Sequence, residues 1–365
     1  MPSAAPRRPA AAQAQRFGPR RTRALRRRLL AWWDAGHRKL PWRYPQRAAD
    51  PYRVWLAEVM LQQTRVSVVI PYYERFVARY PTLEALAAAR EDDVLALWGG
   101  LGYYARGRNL AAAAREAVAR YGGLPASVER LRTLPGFGPY TAGAVASIAF
   151  AIPAPAVDGN AARVLARLAA VQGATSDAGF RARVGALAAE LVDPDRPGDL
   201  NQALMELGAT ACAPRGPSCR RCPVAALCAA RAAGTAAEIP APRRRPERPA
   251  MELACAVARR NGSILLARRP ARGLFAGLWT PPSAELGPGD DARAALARAV
   301  GRRLAVGEEL ATCERILTHR ALTLRAFACE VRGAIAVGAG LRWVPMDELE
   351  SVGMPSAFLA LLARV

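Results

Sequence analysis

Three sets of residues in this 365-residue chain have side chains and spacings suited to chemistry. Glu58 stands in the apolar run Trp55-Leu56-Ala57-Glu58-Val59-Met60. An ionised carboxyl there is costly unless it is satisfied or kept protonated. Asp158, in Val157-Asp158-Gly159-Asn160, sits at the mouth of a helical run, where a helix N-terminus favours the anion. The two carboxyls are therefore expected to differ, one as proton holder and one as fixed charge. The third set is Cys212, Cys219, Cys222 and Cys228, spaced C-x6-C-x2-C-x5-C. Four thiols so close together in a chain without a recognisable secretion signal point to a metal centre rather than disulfides. Zinc is one such centre. Cys255, Cys313 and Cys329 lack any such spacing and read as core thiols.

The elements that must position these groups can be read in order. A basic arm over residues 1–22 is expected to be disordered and to run into a first helix. His37-Arg38-Lys39-Leu40-Pro41-Trp42-Arg43 is a basic, aromatic loop. Asp50 and Pro51 suit the cap and first residue of the helix that carries Glu58, Leu61, Gln62 and Gln63. Residues 71–80, 82–98 and 109–121 read as further helices. Between them, Gly99-Gly100-Leu101-Gly102-Tyr103-Tyr104 precedes Arg106 and Arg108, aromatics and arginines suited to base stacking and phosphate contact. Residues 126–133 and 139–149 flank the turn Leu134-Pro135-Gly136-Phe137-Gly138, in which Gly136 and Gly138 can take φ > 0. The N–H groups opening the second helix would then suit a phosphate. Gly136, Gly138 and Gly143 do not make the G-x-G-x-x-G of a dinucleotide site. Residues 161–171, 181–192 and 201–212 complete an all-α first domain. The Pro- and Arg-rich stretch 234–250 is a linker. Strand-like runs at 253–257 and 263–267 around Asn261-Gly262, a helix at 290–304, and strands at 314–317 and 321–331 then make an α+β second domain.

A net charge of +22 favours a polyanion as partner. Lys39 is the only lysine. The longest uncharged stretch, 134–157, is broken by glycines and prolines and does not qualify as a membrane span.

These features together resemble the MutY family of adenine DNA glycosylases, in the helix-hairpin-helix, or endonuclease III, superfamily. The resemblance is carried by GHRKLPWR, EVMLQQT, GLGYYARGRNL, LPGFGPYTAG, VDGN and the cysteine quartet, and covers nearly the whole chain. It implies a multi-domain protein: an all-α glycosylase domain over 23–233 with a [4Fe–4S] loop at 212–228, a linker over 234–250, and a Nudix-like lesion-recognition domain over 251–365. It implies base excision repair, with adenine removed from duplex DNA opposite 8-oxoguanine or G by a monofunctional enzyme. Glu58 would be the acid that protonates adenine, and Asp158 the carboxylate that stabilises or traps the sugar cation. Tyr140 and Asn160 would support them. Arg38, Trp42 and Gln202 would form the adenine pocket. Leu61, Gln62, Gln63 and Tyr103 would lie against or wedge into the duplex, and Gly136 and Gly138 would grip a phosphate. Thr318 and His319 would read 8-oxoguanine; the family's usual Phe-Ser-His is Leu317-Thr318-His319 here. The protein is expected to be a cytoplasmic, nucleoid-associated bacterial monomer that does not act at membranes. Residues 291–301 lack the clustered Glu of a Nudix hydrolase helix, so that domain reads as a binding module. The rivals are an endonuclease III-type glycosylase/lyase, disfavoured by the absence of a lysine at the position of Tyr140, and a DNA-binding protein without catalysis.

Overall fold

The computed structural model describes residues 16–43, 49–242, 247–301, 304–333, 335, 338 and 340–365. Most of the expected basic arm lies outside them. The helices before the linker are α1 (Pro19–Ala35), α2 (Pro51–Leu61), α3 (Val66–Arg79), α4 (Leu83–Ala87), α5 (Glu91–Leu97), α6 (Ala105–Tyr121), α7 (Val128–Leu131), α8 (Pro139–Phe150), α9 (Gly159–Ala169), α10 (Ala178–Leu191), α11 (Pro197–Ala209) and α12 (Ala229–Ala232). After it come β1 (Ala250–Arg260), β2 (Ser263–Arg268), β3 (Trp279–Thr280), β4 (Ser283–Leu286), α13 (Ala292–Val300), β5 (Leu304–Ile316), β6 (Ala321–Val331), β7 (Leu341–Pro345) and α14 (Ser356–Leu362).

Packing divides the chain into two compact units that do not follow its order. The first holds Met1–Gln62 and Leu124–Arg244; the second holds Gln63–Gly123 and Arg245–Val365. In the first, α1 turns Leu25, Leu29 and Trp33 inward at every fourth residue, onto the apolar faces of α9, α10 and α11. Asp50 caps α2, its carboxylate accepting from the Tyr52 N–H at 2.9 Å, with Pro51 at the first helical position. The Trp55 and Phe137 rings stack 5.3 Å apart and join α2 to the turn before α8. That turn departs from expectation in one respect. Gly136 takes φ 76°, whereas Gly138 is extended, at φ −80°, and needs no glycine conformation. The preceding helix is also shorter than the expected 126–133.

The segment that delivers Asp158 to its place is fixed from two sides. A Cβ on Gly143 would lie 2.1 Å from the Pro155 carbonyl oxygen, so only glycine lets α8 approach it this closely. From α11 the buried Asn201 amide donates to the Ser147 hydroxyl and the Ala154 carbonyl, and accepts from the Ala156 N–H.

In the second unit, the helix expected over 82–98 is two helices, interrupted before an extended Arg90. α3 begins at Val66 and carries Pro71 inside it. The sheet runs β3-β2-β1-β6-β5, with β4 paired to β1 and β7 to β2. The β1–β6 pair is parallel and the others antiparallel, so the sheet is mixed. Residues 63–123 pack on this part of the chain. The Tyr104 hydroxyl donates to the Met354 carbonyl at 3.2 Å, and Asp92 receives Arg268 at 3.2 Å. Among the described residues no helix is long and apolar enough to cross a membrane.

Candidate active site

Glu58 lies on α2 where every residue from Val54 to Met60 is buried; its own exposure is 6%. The Tyr140 hydroxyl, one residue into α8, donates to its Oε2. Burial pushes the Glu58 carboxyl up to about 7, and the negative charge of Asp158 adds to this, against the Tyr140 hydrogen bond and the Arg43 guanidinium. Asp158 caps α9: one carboxylate oxygen accepts from the Ala161 N–H at 2.6 Å, the other from the Asn160 amide at 3.0 Å. Burial raises its pKa too, while the Ala161 and Asn160 donors and Arg163 oppose the rise. Both carboxyls are thus raised by burial, contrary to the expectation that the helix start alone favours the Asp158 anion; the rise is opposed by amide donors and Arg163 at Asp158, and by Tyr140 and Arg43 at Glu58.

Asn160 is oriented in turn. Its Oδ1 accepts from Arg163 at 2.8 Å, which leaves its NH2 for Asp158. Arg163 also donates to the carbonyls of Gly208 and Cys212, both at 2.8 Å. One helical turn on, Arg167 donates to the Cys212 sulfur at 3.2 Å and to the Ala213 and Pro214 carbonyls. The Cys228 thiol points back to the Arg167 carbonyl, 3.3 Å away. Cys212, Cys219, Cys222 and Cys228 are all free thiols. Among the described residues no three His, Cys, Asp or Glu side chains gather as a single metal ion would require. Four thiols on one short loop are the donor set of a sulfur-ligated metal centre, a zinc ion or an iron–sulfur cluster.

A second buried carboxylate belongs to the same unit. Glu206 on α11 is 2% exposed and accepts from Arg38 through Nε at 2.7 Å and NH2 at 2.8 Å, and from Arg43 at 2.8 Å. Burial alone would raise its pKa, but the two guanidiniums outweigh this and hold it down at about 2. Arg38, expected against the substrate, is thus first a partner of Glu206. Trp42 is buried in the same loop, and Gln202 is half-buried on α11. Leu61 and Gln62 are half-buried at the end of α2, where the Gln62 amide donates to the Thr141 hydroxyl at 3.1 Å.

The remaining expected residues form a separate group in the second unit. Gln63 is exposed and Tyr103 40% exposed, and both adopt left-handed backbone, φ 59° and 48°. Such conformations are strained for residues other than glycine and are found at functional sites. The Tyr103 hydroxyl is hydrogen-bonded to the Thr318 hydroxyl at 2.5 Å. Thr318 and His319 occupy the exposed turn between β5 and β6. Arg106 and Arg108, whose spacing suited phosphate contact, are half-buried and engaged within the protein. Arg106 packs over the Trp98 and Tyr103 rings and donates to the Thr64 hydroxyl, and Arg108 donates to the Ala276 carbonyl. α13 has no Glu, so it lacks the clustered acids of a Nudix hydrolase helix.

Comparison with known proteins agrees with this arrangement. Residues 56–187 match the HhH-GPD superfamily of base excision DNA repair proteins, and residues 253–364 match the NUDIX domain. A solved thermostable thymine-DNA glycosylase aligns with 58% of this chain and 97% of its own, at 28% identity and a TM-score of 0.50. The fold and the site thus define a DNA glycosylase joined to a Nudix-like domain. The adenine DNA glycosylase of Rattus norvegicus is 37% identical over 92% of this chain and 76% of its own length. That of Homo sapiens is 38% identical over 92% and 72%. The chain belongs to the adenine DNA glycosylase family.

The site residues that composition and spacing had not singled out are Arg43, Arg163, Asn201 and Glu206. Glu206 carries the signal that marked Glu58, a carboxylate inside an apolar helical run. The buried Glu58 also sets a stability signature. Between about 4.5 and about 7 the folded state holds a proton that the unfolded chain has lost, so this group destabilises the fold as pH rises through that window. In Glu58→Gln the penalty is absent. Urea unfolding should show the variant gaining on the wild type by about 3 kcal/mol between pH 4.5 and pH 8. A gap that does not change with pH would show that Glu58 is not held protonated.

Proposed function

We propose that this enzyme hydrolyses the N-glycosidic bond of adenine mispaired with 8-oxoguanine, or with G, in duplex DNA. The observation that carries the reading is Glu58, a buried carboxyl raised to about 7 within electrostatic reach of the helix-capping Asp158. The adenine is flipped out of the stack. Glu58 gives its proton to the base as the C1′–N bond breaks, and the bonding pair leaves with the adenine. Positive charge develops on the sugar, where Asp158 stabilises it or adds to it. Water then supplies the new C1′ oxygen, and its proton returns to Glu58, leaving an abasic site. Tyr140 orients Glu58, and Asn160 orients Asp158. A glycosylase/lyase of the endonuclease III type would need an amine where Tyr140 stands.

Excision from duplexes with A opposite 8-oxoguanine, G, C or T, revealed by alkali, tests this reading. Glu58→Gln and Asp158→Asn should each abolish excision while keeping duplex affinity. Activity that survives both substitutions would make the two carboxyls structural.

For lesion reading we assign Thr318 and His319, whose hydroxyl and imidazole can hydrogen-bond the damaged base at about 1 kcal/mol each. Thr318→Ala/His319→Ala should weaken the preference for A opposite 8-oxoguanine over A opposite G by roughly tenfold. An unchanged preference would place the reader elsewhere.

Cys212, Cys219, Cys222 and Cys228 are proposed to hold a [4Fe–4S] cluster, which when bound ties the loop together through four iron–sulfur bonds. Anaerobically purified protein should contain about four iron per chain by elemental analysis. Stoichiometric zinc without iron would overturn this assignment.

A further inference from the structure

Two carboxyl-centred groups lie in the first unit: the pair of Glu58 and Asp158, and Glu206 with Arg38 and Arg43. Glu206 and Arg43 are largely buried while Arg38 is exposed, and such a group is a poor source of stability, because desolvation and solvent screening offset most of the attraction. Its geometry, by contrast, is specific. Both Glu206 oxygens are occupied, Oε1 by Arg38 Nε and Oε2 by Arg38 NH2 and Arg43 NH2. Arg43 reaches back to the Arg38 carbonyl at 2.9 Å and lies over the Trp33 ring, on which His37 stacks at 3.8 Å. The loop 37–43, with the buried Trp42 in it, is therefore closed upon a single carboxylate from α11. The adjacent residue on α11, Met205, touches the Tyr140 hydroxyl that donates to Glu58.

We propose that Glu206 is a positioning residue for excision: it fixes the 37–43 loop as a rigid wall for the target base and neutralises guanidinium charge within reach of Glu58. The inference rests on the reading that Glu58 is the proton donor. Glu206 itself cannot be one, since it is fully bonded as an anion. The groups that face Glu58 are Tyr140 from α8, Asp158 from the start of α9 and Arg43 from the loop after α1; α11 contributes the neutral Met205. Without the Glu206 charge, Arg38 and Arg43 stand uncompensated. Their field favours ionised Glu58 and removes the proton that the reaction uses.

The test is single-turnover excision from a duplex with A opposite 8-oxoguanine, measured from pH 5 to 9 for the wild type, Glu206→Gln and Glu206→Asp. Affinity for the abasic product duplex is measured alongside. Glu206→Gln is expected to lose about 100-fold in rate, as a displaced positioning loop does, with product affinity unchanged. The alkaline limb of its pH profile should move to lower pH. Glu206→Asp keeps the charge but not the reach. It should restore the alkaline limb to its wild-type position while the rate stays reduced. A folded Glu206→Gln variant with wild-type rate and profile overturns the proposal. If that variant does not fold, a Glu206→Asp variant with full wild-type rate overturns it equally. Failure of the wild type to excise any adenine would instead reject the functional reading beneath it.

Discussion

One guanidinium holds most of the first unit's chemistry in register. Arg163 fixes which way the Asn160 amide points, and that amide fixes one oxygen of Asp158. The same side chain closes on the Gly208 and Cys212 carbonyls, where α11 ends and the cysteine loop begins. Gly208 has no room for a side chain, because a Cβ there would lie 2.6 Å from the Asn160 Cβ. The capping carboxylate, the contact of α9 with α11 and the origin of the loop are thus one bonded assembly. Buried polar networks of this kind are rigid when every member is satisfied and costly when one is lost.

Against that polar assembly stands an apolar one. α2 surrounds Glu58 with Trp55, Leu56, Val59 and Met60, and α8 gives it one hydroxyl as a partner. Three carboxyls in one unit therefore meet three environments. Glu58 is raised by burial that the Tyr140 hydroxyl and Arg43 do not offset, Glu206 is lowered by two bonded guanidiniums, and Asp158 is raised by burial against amide donors and Arg163. Burial is common to all three. What sets Glu206 apart is that two guanidiniums are bonded to it.

The parts of this arrangement that were legible in the sequence are those set by local chemistry. Asp50-Pro51 and Asp158 announce helix starts, Asn261-Gly262 announces a hairpin, and the cysteine spacing marks a loop of its own. Less legible were elements whose fate is decided by distant partners. β5 extends to Leu304, well beyond the expected 314–317, because most of its residues face solvent at a bulged sheet edge and show no apolar alternation. Arg106 and Arg108 read as surface cations but are half-buried by a packing that no local pattern encodes. Glu206 could have been noticed by the rule that found Glu58. Its guanidinium partners lie more than 160 residues away in the chain, beyond the reach of any spacing argument.

The way packing crosses chain order has a bearing on modularity. Residues 63–123 sit in sequence amid the helical glycosylase half, yet they lean on the C-terminal half, through Tyr104 on Met354, Arg108 on Ala276 and Asp92 with Arg268. Cutting the chain at the linker would therefore not detach an appendage. It would leave Asp92, Arg108 and the Tyr104 hydroxyl without these partners. A C-terminal half grafted from a relative would have to offer equivalents of the Met354 and Ala276 carbonyls and of Arg268 to keep these contacts of 63–123.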